Sequence, residues 1–185
     1  MLMRSPLPFI LNNKGFVEGI KHLMSPNFEQ RLPNEAINLI VIHAISMPPD
    51  QFGSKDIEKL FMNKLNFDEH PFYSTIKNLK VSAHFLIKRT GELIQFVSCL
   101  NKAWHAGQSS WNRRANCNDF SIGIELEGSD KKEFTEIQYE NLNALLEVLC
   151  QHYPIQDVVG HSDIAPGRKT DPGPLFKWNK IRTNL

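Results

Sequence analysis

The 185-residue chain reads as an α/β protein, a single mixed β-sheet flanked by α-helices. Three observations predict this. Residues 38–43, NLIVIH, form a continuous apolar, β-branched run, the mark of a strand buried on both faces. Segments 84–88 and 93–97 flank Thr90-Gly91 as the two arms of a hairpin, which rules out a purely parallel sheet. Residues 136–152 place Leu142, Leu145, Leu146 and Leu149 on one helical face, behind a Thr135/Gln138 capping-box pair.

The other elements follow in order. Residues 1–36 read as an irregular N-terminal arm with one short strand, punctuated by Pro26, Pro33 and Asn34. The 38–43 strand leaves His43 at its exit, where open α/β sheets place their chemistry. Pro48 and Pro49 open a loop. Ser54 then caps a helix over 55–64, with Ile57, Leu60 and Phe61 at helical spacing. Residues 67–81 carry no decisive pattern. Ile122, Ile124 and Leu126 alternate with Gly123 and Glu125, a strand pattern that puts Glu125 and Glu127 on one face and the isoleucines on the other. The 136–152 helix stops before Pro154, a short strand covers 157–159, and a closing helix is expected over 176–182. The whole, 1–185, is expected to form one domain with the arm packed on it.

Composition narrows the function. A net charge of +1 with no Lys/Arg block argues against nucleic acid and anionic membrane as partners. Cys99, Cys117 and Cys150 are three single cysteines, an odd count that argues for a reducing compartment rather than a disulfide framework. No stretch has the length and apolarity of a bilayer span, and residues 1–15 lack the features of a secretory signal. The chain is therefore expected to be soluble and cytoplasmic.

The chemistry concentrates in GHSDIAPGRKTDPGP, residues 160–174, a Pro- and Gly-rich segment that requires a shaped loop. His161 follows the apolar pair Val158-Val159, so His43 and His161 both leave strands. Asp171 lies ten residues past His161, within loop reach of the same point. Two histidines and a carboxylate are a catalytic zinc set with a fourth position open. Taken alone, His43 reads more readily as a satisfied core histidine than as a ligand, and on spacing alone Asp171 is equally compatible with the anchor of an Asp-Pro-Gly turn. Glu125, on a strand in partly apolar surroundings, is the candidate general base; the alternative is a solvent-facing edge strand. Lys169 is the candidate electrophile, or else a solvated loop lysine beside Arg168. Trp104 and His105, in AWHAG, suit sugar and amide groups; the plainer reading is a core Trp beside an exposed His. His22, His70 and His152 stand in polar, turn-like contexts and read as surface residues.

The blocks NLIVIHAIS, SAHFLI, AWHAG, CNDFSIGIELEG and GHSDIAPGRKTDPGP, in this order, resemble the AmpD-type N-acetylmuramoyl-L-alanine amidases, cytosolic enzymes of cell-wall recycling that act on 1,6-anhydro-muropeptides. The resemblance runs from about residue 39 to 178. It implies a zinc cleft on one face of the sheet, one Zn2+ ion, and His43, His161 and Asp171 as its ligands. It further implies Glu125 as the group activating the attacking water and Lys169 as the group stabilising the tetrahedral intermediate. Trp104, His105, Lys80 and Arg114 fall in substrate-lining segments. Three positions depart from the family pattern: Ala44 replaces an Asn after the first ligand, Lys80 replaces an Arg, and Arg113-Arg114 replace an arginine directly before the cysteine. Lys retains charge but not the planar bidentate fork, so these positions bear on peptide carboxylate contacts. The expected partner is a small muropeptide substrate, and the expected state is a monomer. A non-catalytic muropeptide-binding module and an amidase acting on polymeric peptidoglycan are the competing readings. Residues 47–71, just after His43, are a candidate mobile lid.

Overall fold

The computed structural model describes residues 9–183. In chain order the elements are β1 (Lys21–His22), β2 (Phe28–Gln30), β3 (Leu39–Ile45), α1 (Asp56–Phe61), α2 (Pro71–Thr75), β4 (Phe85–Ile87) and β5 (Leu93–Gln95). They continue with β6 (Asn101–Ala103), β7 (Ser110–Trp111), β8 (Arg114–Ala115), β9 (Ser121–Glu127), α3 (Glu136–His152), β10 (Asp157–Gly160) and α4 (His161–Ile164). Six strands form the main sheet in the order β1-β5-β4-β9-β3-β10. All neighbours are parallel except the β4–β5 hairpin, so the sheet is mixed.

Side chains alternate across a strand, and the two faces of this sheet have different fates. Ile40, Ile42, Ile122, Ile124, Leu126, Phe85 and Ile87 join Leu142, Leu145, Leu146 and Leu149 of α3 in one apolar core. The Thr135 hydroxyl and the Gln138 amide close the capping box that starts α3. Gln138 Nε2 also donates to the carbonyls of Ile87 and Glu127, fastening the first turn of α3 to the sheet. The opposite face carries Leu39, Val41 and His43 of β3 beside Ser121, Gly123 and Glu125 of β9. This second face is where the polar groups gather.

Several elements differ from the sequence expectation. Among its described residues the arm holds two short strands rather than one: β1 extends the main sheet and β2 pairs with β6. Strand β3 continues two residues beyond His43, because Ala44 and Ile45 keep pairing with Leu126 and Glu127. The helix expected over 55–64 is only α1, since the Asn63 backbone turns left-handed at φ 57. Residues 71–75 form the unanticipated helix α2, capped by the His70 imidazole and started by Pro71. The closing helix shrinks to the 3₁₀ turn Trp178–Lys180, with Pro172 and Pro174 restricting the backbone just before it.

The 47–71 segment is packed rather than bare. Met47, Ile57, Leu60, Phe61 and Leu65 join Leu86, Ile94 and Phe96 in a second core. The buried Glu127 carboxylate accepts the backbone N–H groups of Gly53 and Arg89 at 2.5 and 3.0 Å. Lys88 Nζ donates to the Ser54 carbonyl at 2.6 Å and to Glu58 Oε1 at 3.2 Å. Among the described residues no helix is long and apolar enough to cross a membrane.

Candidate metal centre and active site

The parallel register places His43 of β3 directly beside Glu125 of β9, with Leu86 of β4 on the far side of Glu125. Strand β10 flanks β3 on its other side, pairing Gly160 with Ile42, so the next residue, His161, arrives level with His43. Asp163 Oδ2 accepts the Gly160 N–H at 2.7 Å, turning the chain into α4 and aiming His161 back over the sheet. Asp171 returns through the Pro-Gly loop, and its carbonyl accepts the Ser162 N–H at 2.9 Å.

Three ligand atoms converge. His43 Nδ1 lies 2.9 Å from His161 Nδ1 and 3.2 Å from Asp171 Oδ2, and His161 Nδ1 lies 3.1 Å from Asp171 Oδ2. His43 is 1% and His161 4% exposed. The outer nitrogens are both engaged: His161 Nε2 meets the Ala106 carbonyl at 3.0 Å, and His43 Nε2 meets His105 Nδ1 at 2.9 Å. With a proton on each outer nitrogen, two lone pairs and a carboxylate oxygen face one another, a combination that fits only a cation. A four-coordinate ion with bonds of about 2.0–2.1 Å sets its ligand atoms roughly 3.3 Å apart, close to the spacing here. Burial keeps His43 neutral, with its pKa lowered to about 4, which leaves its lone pair available to a metal at neutral pH.

Glu125 is 9% exposed, and its Oε2 is buried without a hydrogen-bond partner. Its pKa lies well above the ordinary carboxyl value; burial is the main cause, the Asp171 charge adds to it, and Lys169 partly offsets both. An unpaired carboxyl with raised basicity beside a candidate metal set is suited to proton transfer. Lys169 is exposed at the mouth of the same loop, with its backbone N–H held by the Ala165 carbonyl at 3.1 Å. Its charge bears on both His43 and Glu125.

The residues read as substrate-lining separate. Trp104 is half-buried, its backbone paired both ways with Ser82 at 3.0 Å. Lys80 is exposed. Arg114 stacks 3.8 Å from the Phe120 ring centroid, and its Nη2 donates to Glu35 of the arm at 2.6 Å. His105 is 8% exposed and lies against His43, so the picture of an exposed His beside a core Trp does not hold.

Some supporting residues escaped the sequence reading. Arg31 donates to the carbonyls of Cys99, Asn118, Asp119 and Ser121 at 2.7–3.2 Å, locking the arm against the start of β9. It also lies 3.3 Å from His84 Nε2, and all of these partners are far along the chain, so no motif announces it. His84 is fully buried; its Nδ1 accepts the Gly123 N–H at 3.0 Å, and its Nε2 meets the Asn101 carbonyl at 3.0 Å. The block SAHFLI contained it, but nothing in the sequence separated it from the other histidines.

A mixed sheet with a buried His-His-Asp set that could hold a metal ion, beside an unpaired glutamate, has the groups a hydrolase site needs. Residues 33–174 match the N-acetylmuramoyl-L-alanine amidase family, and the chain belongs to that family. It is 45% identical over 175 residues to the 1,6-anhydro-N-acetylmuramyl-L-alanine amidase AmpD of Escherichia coli K12, covering 94% of this chain and 96% of that one. The AmpD of Haemophilus influenzae is also 45% identical, with 93% and 95% covered. A crystal structure of an AmpD derivative superposes with a TM-score of 0.91 at 44% identity, covering 94% of this chain and 98% of that one. The E. coli amidase AmiD, solved with anhydro-N-acetylmuramic acid-L-Ala-D-γ-Glu-L-Lys as substrate, superposes at 0.57 with 31% identity; 82% of this chain and 59% of that one are covered.

Proposed function

We propose that this amidase is a zinc enzyme of cytoplasmic peptidoglycan recycling. It hydrolyses the amide between the lactyl group of 1,6-anhydro-N-acetylmuramic acid and L-Ala. The observation that carries this reading is the convergence of His43 Nδ1, His161 Nδ1 and Asp171 Oδ2 within 3.2 Å beside the unpaired Glu125. The similarity to AmpD along nearly the whole chain supports the substrate, and the absence of a disulfide pattern supports the compartment. Residues 1–185 are read as one amidase domain acting as a monomer on a small muropeptide.

His43, His161 and Asp171 would hold the ion. Bound there, zinc supplies Lewis acidity toward the scissile carbonyl and lowers the pKa of water to about 7. Glu125 accepts a proton from the attacking water and returns it to the departing amine of L-Ala. Lys169 meets the negative charge that develops on the carbonyl oxygen, a contribution of roughly 3 kcal/mol for a well-placed donor. Trp104 offers a ring for the sugar, and Lys80 and Arg114 offer cations for the stem-peptide carboxylates.

The test is direct. Purified protein is incubated with anhydro-muropeptides and separately with intact sacculi, each with and without a chelator, and the products are identified by mass. Release of a peptide with a free L-Ala amine from the soluble substrate, abolished by the chelator and restored by Zn2+, is the expected result. Cleavage that ignores the chelator removes zinc from the reading. Cleavage of sacculi alone moves the enzyme to polymeric wall.

A further inference from the structure

Cys117, Ser121, His105 and His43 form a buried chain of polar contacts whose direction is set at its far end. The Cys117 carbonyl can only accept, and it takes the Ser121 hydroxyl proton at 2.5 Å. With that proton committed, Ser121 Oγ, 3.1 Å from His105 Nε2, has only a lone pair to offer. His105 Nε2 must therefore carry the hydrogen, and His105 Nδ1 must be the lone pair. Since His105 Nδ1 lies 2.9 Å from His43 Nε2, His43 Nε2 must donate, and its proton cannot sit on Nδ1. A backbone carbonyl four residues before Ser121 thus dictates which nitrogen of His43 is free.

The fold makes room for this chain. Gly123 lies between Ser121 and Glu125 on the site face, and a Cβ there would come within 2.4 Å of the His105 ring. The imidazole fills the space that the missing side chain leaves on β9. It packs edge-on to His43, with ring centroids 5.0 Å apart, and 5.8 Å from His84. Arg31 and Asn118 hold its surroundings: Arg31 Nη2 donates to the Ser121 carbonyl, and Asn118 Oδ1 accepts the His105 and Ala106 N–H groups at 3.2 and 2.9 Å. Both ring nitrogens of His105 are occupied, so the ring has no donor or acceptor left for a substrate.

We propose that His105 is a positioning residue which, with Ser121 and the Cys117 carbonyl behind it, locks His43 in the Nε2–H tautomer and so presents the Nδ1 lone pair to the metal. The proposal rests on the zinc reading above. Outer-shell partners of this kind typically change metal affinity roughly 10–100-fold when removed.

The experiment compares the full-length protein with His105→Leu, His105→Asn and Ser121→Ala. Zn2+ affinity is read by chelator competition without substrate, and the His43 tautomer by long-range ¹H–¹⁵N correlation on histidine-labelled, metal-free protein. His105→Leu, which has no acceptor, is expected to weaken Zn2+ binding roughly 10–100-fold. His105→Asn places an amide oxygen where Nδ1 stood and is expected to recover most of that loss. Ser121→Ala is expected to weaken binding less than His105→Leu and to leave His43 as a tautomer mixture. Three results would each overturn the proposal: wild-type affinity in His105→Leu with a raised KM, no recovery in His105→Asn, or a His43 Nδ1–H tautomer in the wild-type protein. The tautomer is read without metal, so a wild-type protein that binds no Zn2+ would sink the zinc reading while the relay is still decided.

Discussion

His43 and Glu125 are register partners on the parallel strands β3 and β9, both on the sheet face opposite α3. That pairing sets a candidate metal-ligand atom and a carboxyl group on adjacent strands, so their separation is fixed by the sheet rather than by a loop. Side chains anchored this way are held more tightly than any arrangement of mobile segments allows.

Removal of Glu125 should therefore separate binding from chemistry. Glu125→Ala is expected to fold and retain metal while kcat falls by roughly 10²–10⁴-fold, the usual worth of a positioned acid–base group. Metal content and single-turnover rates check this. A variant that keeps its rate takes Glu125 out of the mechanism.

The same carboxyl carries a pH signature. Burial, reinforced by Asp171 and opposed by Lys169, raises its folded-state pKa well above the ordinary 4.5. Its contribution to stability is thus intact below the unfolded-state pKa and lost as pH rises toward the folded one. Metal-free Glu125→Gln should gain stability relative to wild type at pH 7 and match it near pH 4. Urea unfolding at the two pH values measures the difference.

Lys169→Ala leaves the three ligand atoms and Glu125 in place. Its expected effect is about a hundredfold loss in kcat, near 3 kcal/mol, with metal content unchanged. A loss appearing only in KM would assign Lys169 to ground-state binding instead.

His161→Ala and Asp171→Asn each dismantle the ligand set. Both are expected to lose metal together with activity, and elemental analysis of the purified variants tests it. Metal held at wild-type stoichiometry in either variant would place the ion elsewhere.

Arg31 makes a prediction about the arm. Arg31→Leu leaves four carbonyls without their donor, each costing about 1–3 kcal/mol where water cannot replace it. Destabilisation of at least about 2 kcal/mol is expected in denaturant unfolding. Limited proteolysis should cut first within residues 9–36.

The central strand over 38–43, the strand over 120–126 and the α3 helix were legible because each satisfies a local pattern: an unbroken apolar run, a two-residue alternation, and a 3.6-residue stripe behind a capping box. His43, His161 and Asp171 were legible as types in suitable contexts, and the resemblance of the surrounding blocks bound them into one set. The sequence by itself determined the sheet's apolar interior, the shaped Pro-Gly loop and the chemical inventory of the site. Only the tertiary structure decided that β3 runs past His43, that His105 lies against His43 instead of facing solvent, that Gly123 makes the space for it, and that Arg31 closes the arm. Propensity and periodicity act over a few residues, whereas these outcomes depend on hydrogen-bond partners 16 to 90 positions apart. Which backbone oxygen waits at the far end of such a contact is settled only when the strands have taken their register.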